Sequence, residues 1–338
     1  DFHTGDRVVS NGNHAEYVVV NQNLCTRIPD NTDIKEASFT VLGSIALHGL
    51  RLSETSLGSK VVVIGLGIIG QLVCRLAEAQ GSEVIGIDPD TKRTDMSANF
   101  YTSVEEANMT NVDSVIITAA TSSNEPIEVA TKIARNKAKI VVVGDIPLNI
   151  SRNDFYYKEL ELVVSKSYGP GRYDKQYEIL GKDYPIEYVR WTENRNFEAF
   201  IKLLSQNQIH LLDLVTEEVS FENAPSIYKK FSGEDKPLSI VLRYDNKSEP
   251  KIDLQMTVEL EPKTEKVNLG ILGAGNFAST TILPILKELK KDCQVLGIAS
   301  STGLSSESLA TNFKIKNKYP TEEEILNSEE IDAVLILT

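Results

Sequence analysis

The most constraining feature of the sequence is the stretch KVVVIGLGIIGQLVCRLAEAQGSEVIGID at residues 60–88. It predicts a β-strand, a glycine-rich turn, an amphipathic helix and a second strand that ends in Asp88. Within the turn, Gly65 permits the sharp reversal and Gly67 lets a pyrophosphate approach the backbone. Gly70 lets the helix pack closely on the strand. This combination predicts a dinucleotide-binding unit.

The acid at the end of the second strand indicates which dinucleotide fits. Asp88 lies 18 positions after Gly70, where a carboxylate accepts hydrogen bonds from both ribose hydroxyls and repels a 2′-phosphate. The N–H groups that follow Gly67, including those of Ile68 and Ile69, face the phosphates at the start of the helix. We therefore expect NAD rather than NADP. A nucleotide-shaped fold that binds S-adenosylmethionine, or nothing, is the alternative.

Composition excludes several classes of partner. The chain has 338 residues, enough for two or three domains, and a formal net charge of −13. This charge leaves no basic surface for nucleic acid or an anionic membrane, and no apolar run approaches the about 20 residues of a membrane helix. The cysteines, Cys25, Cys74 and Cys293, have no disulfide or metal-site spacing, which indicates a cytoplasmic protein. The start at Asp1 and the stop at Thr338, directly after a strand-like run, predict truncation at both ends.

The pattern around the dinucleotide unit is typical of an α/β fold. Short strands are predicted within residues 6–30, including AEYVVVN, and a helix at 33–52 with Asp33 as its N-cap. Downstream lie further predicted strands at 112–119, 139–144 and 160–165, and a helix at 125–137. Their apolar, non-alternating character predicts a parallel sheet covered on both faces.

The amino-acid composition changes after Ser165. Residues 166–196 are rich in Tyr, Gly, Pro and Arg. A helix follows, with Thr192 or Asn194 as its N-cap and an apolar stripe of Phe197, Phe200, Ile201 and Leu204. Residues 214–242 predict strand, short helix and strand, and the charged, Pro-punctuated stretch 246–265 predicts a linker.

A second glycine-rich fingerprint begins at Val267. Its turn contains Gly273, Gly275, Asn276 and Phe277, and Ala278 takes the place of the third glycine. The strand after its helix ends in Ala-Ser-Ser without a carboxylate, so this second site accepts NAD or NADP. Helix, short strand and helix are predicted over 305–327, and another strand at 331–337.

Two families resemble the two halves of the chain. GDRV, AEYVVV, the IPD turn, ALHGLR, residues 60–88 and the closing IVLRY resemble a medium-chain, zinc-type alcohol dehydrogenase/reductase. GILGAGNFA, ILPIL, YPTEEEIL and IDAVLILT are similar to the N-terminal half of a Gfo/Idh/MocA oxidoreductase. Together they resemble the bacterial bi-domain oxidoreductases, truncated at both ends, which implies two different Rossmann domains. The boundaries implied are part of a GroES-like catalytic domain (1–50), an NAD-binding Rossmann domain (51–165), a return to the catalytic domain (166–245), the linker (246–265) and a partial second Rossmann domain (266–338).

The chain departs from the zinc enzymes where their metal ligands fall. Valine stands at Val41, near the expected Cys or Glu ligand, and the structural zinc lobe that often follows GDRV is missing. The histidines share no ligand spacing with one another or with a cysteine. We therefore expect no zinc in this chain. The resemblance implies that the Lys-containing EKP motif of the Gfo/Idh/MocA family lies beyond Thr338. The catalytic residues of both halves are therefore unknown, and the fragment alone is expected to be inactive.

The substrate candidates are Tyr168, Arg172 and Arg190, in the Tyr/Arg-rich segment. Arginine forks bind carboxylates or phosphates, aromatic faces stack on sugar rings, and a tyrosine with a lowered pKa acts as a general acid. A loop held by salt bridges and aromatic packing is the alternative. Thr118 is a candidate for cofactor contact because it ends a strand at the ligand-binding edge of the sheet. His48 is favoured as a packed histidine and Cys74 as a core residue.

These patterns predict an NAD(P)-dependent oxidoreductase that transfers hydride between a nicotinamide and an alcohol or carbonyl. The resemblance implies a small-molecule substrate, such as a sugar or polysaccharide precursor, and a homo-oligomer is compatible with it. The alternative is a non-catalytic dinucleotide-binding scaffold or redox sensor.

Overall fold

The computed structural model of the chain describes residues 2–97, 99–230, 236–244, 266–300, 304–319 and 321–337. The chain divides into two compact units, Asp1–Lys247 and Ser248–Thr338. The predicted linker at 246–265 lies outside the described residues.

The first unit opens with a short antiparallel pair and two helices: β1 (Val8–Ser10), β2 (Cys25–Arg27), α1 (Ile34–Ala37) and α2 (Thr40–Leu52). Asp33 caps α1, as predicted. Its Oδ1 accepts from the N–H groups of Lys35 and Glu36 at 2.7 and 3.3 Å. The expected single helix over 33–52 is broken between Ala37 and Thr40.

The predicted strand AEYVVVN does not form. Among the described residues β1 pairs only with β2, so no neighbouring strand accepts the backbone hydrogen bonds of residues 15–21. Tyr17 and Val19 are consequently exposed, at 65% and 103% of their reference areas. The prediction was wrong because period and residue type do not supply a pairing partner.

The centre of the first unit is a six-stranded parallel sheet. Its elements are β3 (Lys60–Ile64), α3 (Ile68–Ala79), β4 (Glu83–Ile87), α4 (Thr91–Thr94), β5 (Phe100–Tyr101), α5 (Val104–Ala107), β6 (Val112–Ile117), α6 (Glu125–Ile133), β7 (Ala134–Val142), α7 (Arg152–Lys158) and β8 (Glu161–Val164). The strand order is β5-β4-β3-β6-β7-β8, so the chain reverses direction across the sheet between β3 and β6. Ligands bind at such a switch point. The predicted helix at 125–137 ends at Ile133, because Ala134 already pairs with Val112.

Both faces of this sheet are covered. Val61 and Val63 pack in one apolar cluster with residues of α2 and α3, and Val62 and Ile64 pack in another with residues of α6. Cys74 is 1% exposed within the first cluster, which agrees with core packing. The predicted α/β fold with a parallel sheet is confirmed.

The remainder of the first unit contains α8 (Lys175–Glu178), α9 (Glu193–Ser205), β9 (Glu217–Ser220), α10 (Ala224–Lys230) and β10 (Ile240–Arg243). Thr192 caps α9, since its Oγ1 accepts from Arg195 N at 3.4 Å. The predicted apolar stripe of α9 is buried. Phe200 occupies the space that Gly43 of α2 leaves open, where a Cβ would lie 2.2 Å from the ring.

The second unit is a four-stranded parallel sheet in the order β13-β12-β11-β14. Its elements are β11 (Val267–Leu272), a π-helical turn (Ala278–Ile282), α11 (Leu283–Glu288), β12 (Cys293–Ala299), α12 (Leu304–Phe313), β13 (Asn317–Lys318), α13 (Glu322–Leu326) and β14 (Ala333–Ile336). The predicted strand, glycine turn, helix and strand are therefore all present. In neither unit does a described helix have the length and apolar character needed to cross a membrane.

Candidate functional site

The turn between β3 and α3 has the geometry that each glycine was predicted to serve. Gly65 has φ +97°, and a Cβ on Gly70 would lie 1.9 Å from the carbonyl oxygen of Gly65, so a side chain at Gly70 would collide with the backbone. A Cβ on Gly67 would meet only the Nη1 of Arg93, at 4.0 Å. The open side at Gly67 is where a phosphate group can approach the backbone.

The first turn of α3 offers its N–H groups to a ligand. Gly67 is the N-cap and has no side chain to accept from them. The backbone N–H groups of the first turn, including those of Ile68 and Ile69, are therefore available for an anion. Thr118, directly after β6, donates its Oγ1–H to the carbonyl oxygen of Gly65 at 2.5 Å. Its hydroxyl holds the turn in place, and its predicted contact with the cofactor stays a prediction.

Asp88 follows β4 and is buried beside this turn. Its Oδ2 accepts from the Leu66 N–H at 2.6 Å and from Arg93 Nη1 at 3.1 Å, and its Oδ1 accepts from the Asp90 N–H at 2.9 Å. The carboxylate is thus fixed in orientation at the carboxyl edge of the sheet.

Sequence reasoning missed Arg93. It lies in α4, five positions after Asp88. This short spacing is the sequence signal that could have predicted a basic side chain close to the acid. The structure gives the candidate site an adjacent anion and cation, rather than an isolated acid.

The loop that contains Tyr168 leaves β8 and reaches α2. The hydroxyl of Tyr168 accepts from Asn11 Nδ2 at 3.1 Å, and its carbonyl oxygen accepts from Asn196 Nδ2 at 3.0 Å. A Cβ on the following residue, Gly169, would lie 3.1 Å from His48 Nδ1. The loop therefore lies against His48 of α2 at Gly169.

The burial of Tyr168 argues against a tyrosine with a lowered pKa. Burial raises the pKa of Tyr168 above its ordinary value despite the nearby Arg172 charge. The hypothesis of a tyrosine with a lowered pKa is therefore not met at this position. Burial and the Arg51 charge lower the pKa of His48 to about 4, so this imidazole is neutral near pH 7.

Arg172 is already engaged within the Tyr/Arg-rich segment. Its Nη1 pairs with Glu178 Oε1 at 2.6 Å, and its guanidinium carbon lies 5.1 Å from the Tyr168 ring centroid. Arg190 instead stacks on Trp191 at 3.8 Å. The structure thus groups Tyr168 with Arg172 and places Arg190 in a second cluster.

Sequence reasoning also missed Glu193, the first residue of α9. It is fully buried, and neither carboxylate oxygen has a hydrogen-bond partner. Burial is the main cause that raises its pKa to about 8, with Glu178 acting in the same direction and Arg172 and Lys166 against it. Glutamate in the first turn of a helix is ordinarily exposed, so the sequence does not indicate that Glu193 is buried.

The described residues do not fit a zinc site. In the parts of the chain that the structure describes, no three His, Cys, Asp or Glu side chains lie close enough to hold a metal ion. His14 stacks on Tyr228, and His48 faces Gly169.

The second glycine turn repeats the phosphate geometry. Gly273 has φ +104°, a Cβ on Gly275 would meet nothing within 4 Å, and Ala278 is fully buried. The carbonyl oxygen of Asn276 accepts from the Ser279 and Thr280 hydroxyls. Phe277 is 57% exposed.

Family comparisons match both glycine turns. Residues 43–153 match the family model of the D-isomer specific 2-hydroxyacid dehydrogenase, NAD binding domain. Residues 267–338 match the Gfo/Idh/MocA family model, described as an oxidoreductase family with an NAD-binding Rossmann fold. Both matches support a nicotinamide cofactor.

Curated relatives are sugar dehydrogenases. The 2-dehydro-3-deoxy-L-galactonate 5-dehydrogenase of Pseudoalteromonas atlantica is 26% identical over 46% of this chain and 49% of its own length. The D-guloside 3-dehydrogenase of Escherichia coli is 25% identical over 68% of each chain. The chain therefore spans about half of the first relative and two thirds of the second.

Solved structures share the fold of about two thirds of the chain. Galactitol-1-phosphate dehydrogenase of Escherichia coli has a TM-score of 0.54 at 21% identity, over 68% of this chain and 66% of its own. A putative zinc-binding dehydrogenase of Sinorhizobium meliloti, bound to NADP, has a TM-score of 0.52 at 20% identity, over 67% and 64%. The chain is therefore similar to zinc-type alcohol and sugar dehydrogenases over about two thirds of its length and to the Gfo/Idh/MocA oxidoreductases over residues 267–338, so that two different Rossmann domains occur in one polypeptide.

Proposed function

We propose that the protein is an NAD-dependent oxidoreductase that transfers a hydride between the nicotinamide and an alcohol or carbonyl carbon. The observation that carries this proposal is the open face of Gly67 beside the buried Asp88, at the carboxyl edge of a parallel sheet. The relatives named above are all dehydrogenases, which supports a catalytic function over a binding scaffold.

The chain's own residues would bind and orient the dinucleotide. The amides after Gly67 would hold the pyrophosphate, and Asp88 would hold the ribose hydroxyls and disfavour a 2′-phosphate. When bound, the cofactor supplies the hydride acceptor or donor.

The substrate is proposed to be a sugar or polyol that contacts Tyr168 and Arg172. Their loop follows β8 and lies against His48, while the next residue of α2, Gly49, packs on Val143 at the carboxyl end of β7. This places the loop on the same edge of the sheet as the dinucleotide turn. Hydroxyl groups can bind the arginine N–H groups, and sugar rings can stack on the tyrosine face.

The second unit is proposed to hold NAD or NADP at Gly273 and Gly275. Its strand β12 ends in Ala299, and the Oγ of the next residue, Ser300, is buried without a hydrogen-bond partner. No acid follows that would repel a 2′-phosphate, so neither cofactor is excluded.

Nicotinamide absorbance measured with the full-length protein tests the enzymatic function. We expect NAD reduction with at least one member of a panel of sugars, polyols and sugar acids, and we expect Gly67→Ala to abolish it. Tight NADH binding without turnover across the panel, with and without added zinc, would favour the scaffold or sensor instead.

A further inference from the structure

Two arginines stack on one tryptophan at the start of α9. The guanidinium carbon of Arg51 lies 3.3 Å from the Trp191 ring centroid, and that of Arg190 lies 3.8 Å from it. Two guanidinium groups cannot both lie this close to the centroid over one face of the ring, so each lies over a different face. Both positive charges are therefore held against one indole ring.

Neither arginine has a carboxylate within ion-pair distance among the described residues. The neighbouring arginines differ, because Arg172 pairs with Glu178 at 2.6 Å and Arg195 pairs with Asp183 at 2.5 Å. The chain has 48 acidic and 35 basic residues, so this lack does not follow from a shortage of acids. Burial and the Arg190 charge lower the pKa of Arg51 to about 10. An anion at this place would relieve that repulsion.

Arg51 is also held in a fixed orientation. Its Nε donates to Asn196 Oδ1 at 3.0 Å, and the Nδ2 of the same amide donates to the carbonyl oxygen of Tyr168 at 3.0 Å. The structure gives the Nη groups of Arg51 no acceptor within the described ranges. One asparagine thus ties the arginine stack to the Tyr168 loop, and the remaining donors are free for a planar or tetrahedral anion.

We propose that Arg51 and Arg190, on either side of Trp191, form an anion subsite for the carboxylate or phosphate group of the substrate. The inference rests on the proposed oxidoreductase function and assigns its substrate class: an acidic sugar derivative rather than a neutral polyol. Arg51 and Arg190 act by binding and positioning this group, and they take no part in hydride transfer.

Trp191 supplies a direct probe, because it is the only tryptophan of the chain. We expect inorganic phosphate and gluconate to change its fluorescence in a saturable way at constant ionic strength, and sorbitol to leave it unchanged. Arg190→Gln removes an exposed side chain and should weaken the apparent affinity for both anions by about 10-fold or more. The matched control is Arg152→Gln, because Arg152 stacks on Tyr156 at 4.7 Å elsewhere in this unit.

The subsite is overturned if neither anion alters Trp191 emission, or if Arg190→Gln and Arg152→Gln behave alike. Turnover by the full-length protein tests the substrate class separately, with gluconate, sorbitol 6-phosphate and sorbitol as alternative substrates. Arg190→Gln should raise KM for the acidic substrates and leave kcat nearly unchanged, whereas an equal effect on sorbitol would overturn the assignment. If no sugar is turned over, the proposed function fails, and the fluorescence titration still decides whether the anion subsite exists.

Discussion

At the scale of single residues, Asp88 and Arg93 carry opposite charges beside the glycine turn and would favour different cofactors. The carboxylate would accept from ribose hydroxyls, while the guanidinium, 3.1 Å from it, would attract a 2′-phosphate once that carboxylate is removed. The preference for NAD therefore depends on which of the two charges faces the ribose.

Asp88→Ala should weaken NADH binding by about 10-fold and improve the relative affinity for NADPH, because Arg93 loses its partner. Titration of both reduced cofactors measures the ratio. The matched control is Asp90→Asn, which removes a charge 3.4 Å from Arg93 Nε without touching the turn. An unchanged ratio in Asp88→Ala would refute the role given to this acid.

Glu193 makes stability depend on pH. Burial raises its pKa from 4.5 to about 8, so the folded chain keeps a proton that the unfolded chain releases in this window. Stability therefore falls as pH rises from 4.5 to 8, by at most about 1.4 kcal/mol per pH unit.

Glu193→Gln cannot ionise, so it should match the wild-type unfolding temperature below pH 4.5 and exceed it above pH 8. Thermal unfolding across this range measures the difference, with the exposed Glu198→Gln of the same helix as control. Parallel pH profiles for wild type and Glu193→Gln would contradict the buried, protonated state.

At the scale of elements, the turn between β3 and α3 separates folding from binding. Gly70→Ala places a Cβ 1.9 Å from the Gly65 carbonyl oxygen and should lower stability by more than about 2 kcal/mol. Gly67→Ala meets open space, so its stability should stay within about 1 kcal/mol of wild type while NADH binding at this site is lost. Denaturant unfolding and cofactor titration, measured on both variants, distinguish the two roles; equal loss of stability would contradict them.

The packing of α2 on α9 makes a second prediction at this scale. Gly43→Ala places a Cβ 2.2 Å from the Phe200 ring and should destabilise the unit by about 1–3 kcal/mol. Phe200→Leu in the same chain should restore part of this loss, because the smaller side chain leaves room. Additive effects in denaturant unfolding would show that the two positions do not interact.

At the scale of the whole molecule, the two glycine turns lie in separate compact units. Calorimetric titration of the full chain with NADH should therefore give two sites per chain. Gly67→Ala should remove one and Gly275→Ala the other, since a Cβ at Gly275 meets nothing within 4 Å. One site in the wild type, unaffected by Gly275→Ala, would show that the second turn does not bind NADH.

The sequence by itself determined both fingerprints and the strands and helices that flank them. The spacing of Gly65, Gly67 and Gly70 predicted the turn because each position has its own steric requirement, visible in residue type alone. The α9 stripe and its Thr192 cap were predictable because helix period and capping are local properties.

Only the tertiary structure decided the rest, because those features depend on groups distant in sequence. The AEYVVVN stretch has no pairing strand among the described residues, burial raises the pKa of Glu193, and Arg93 pairs with Asp88. Arg51 meets Trp191 across 140 positions of the chain. Local pattern specifies what a segment can form, whereas burial, pairing and unbalanced charge arise only when distant segments pack together.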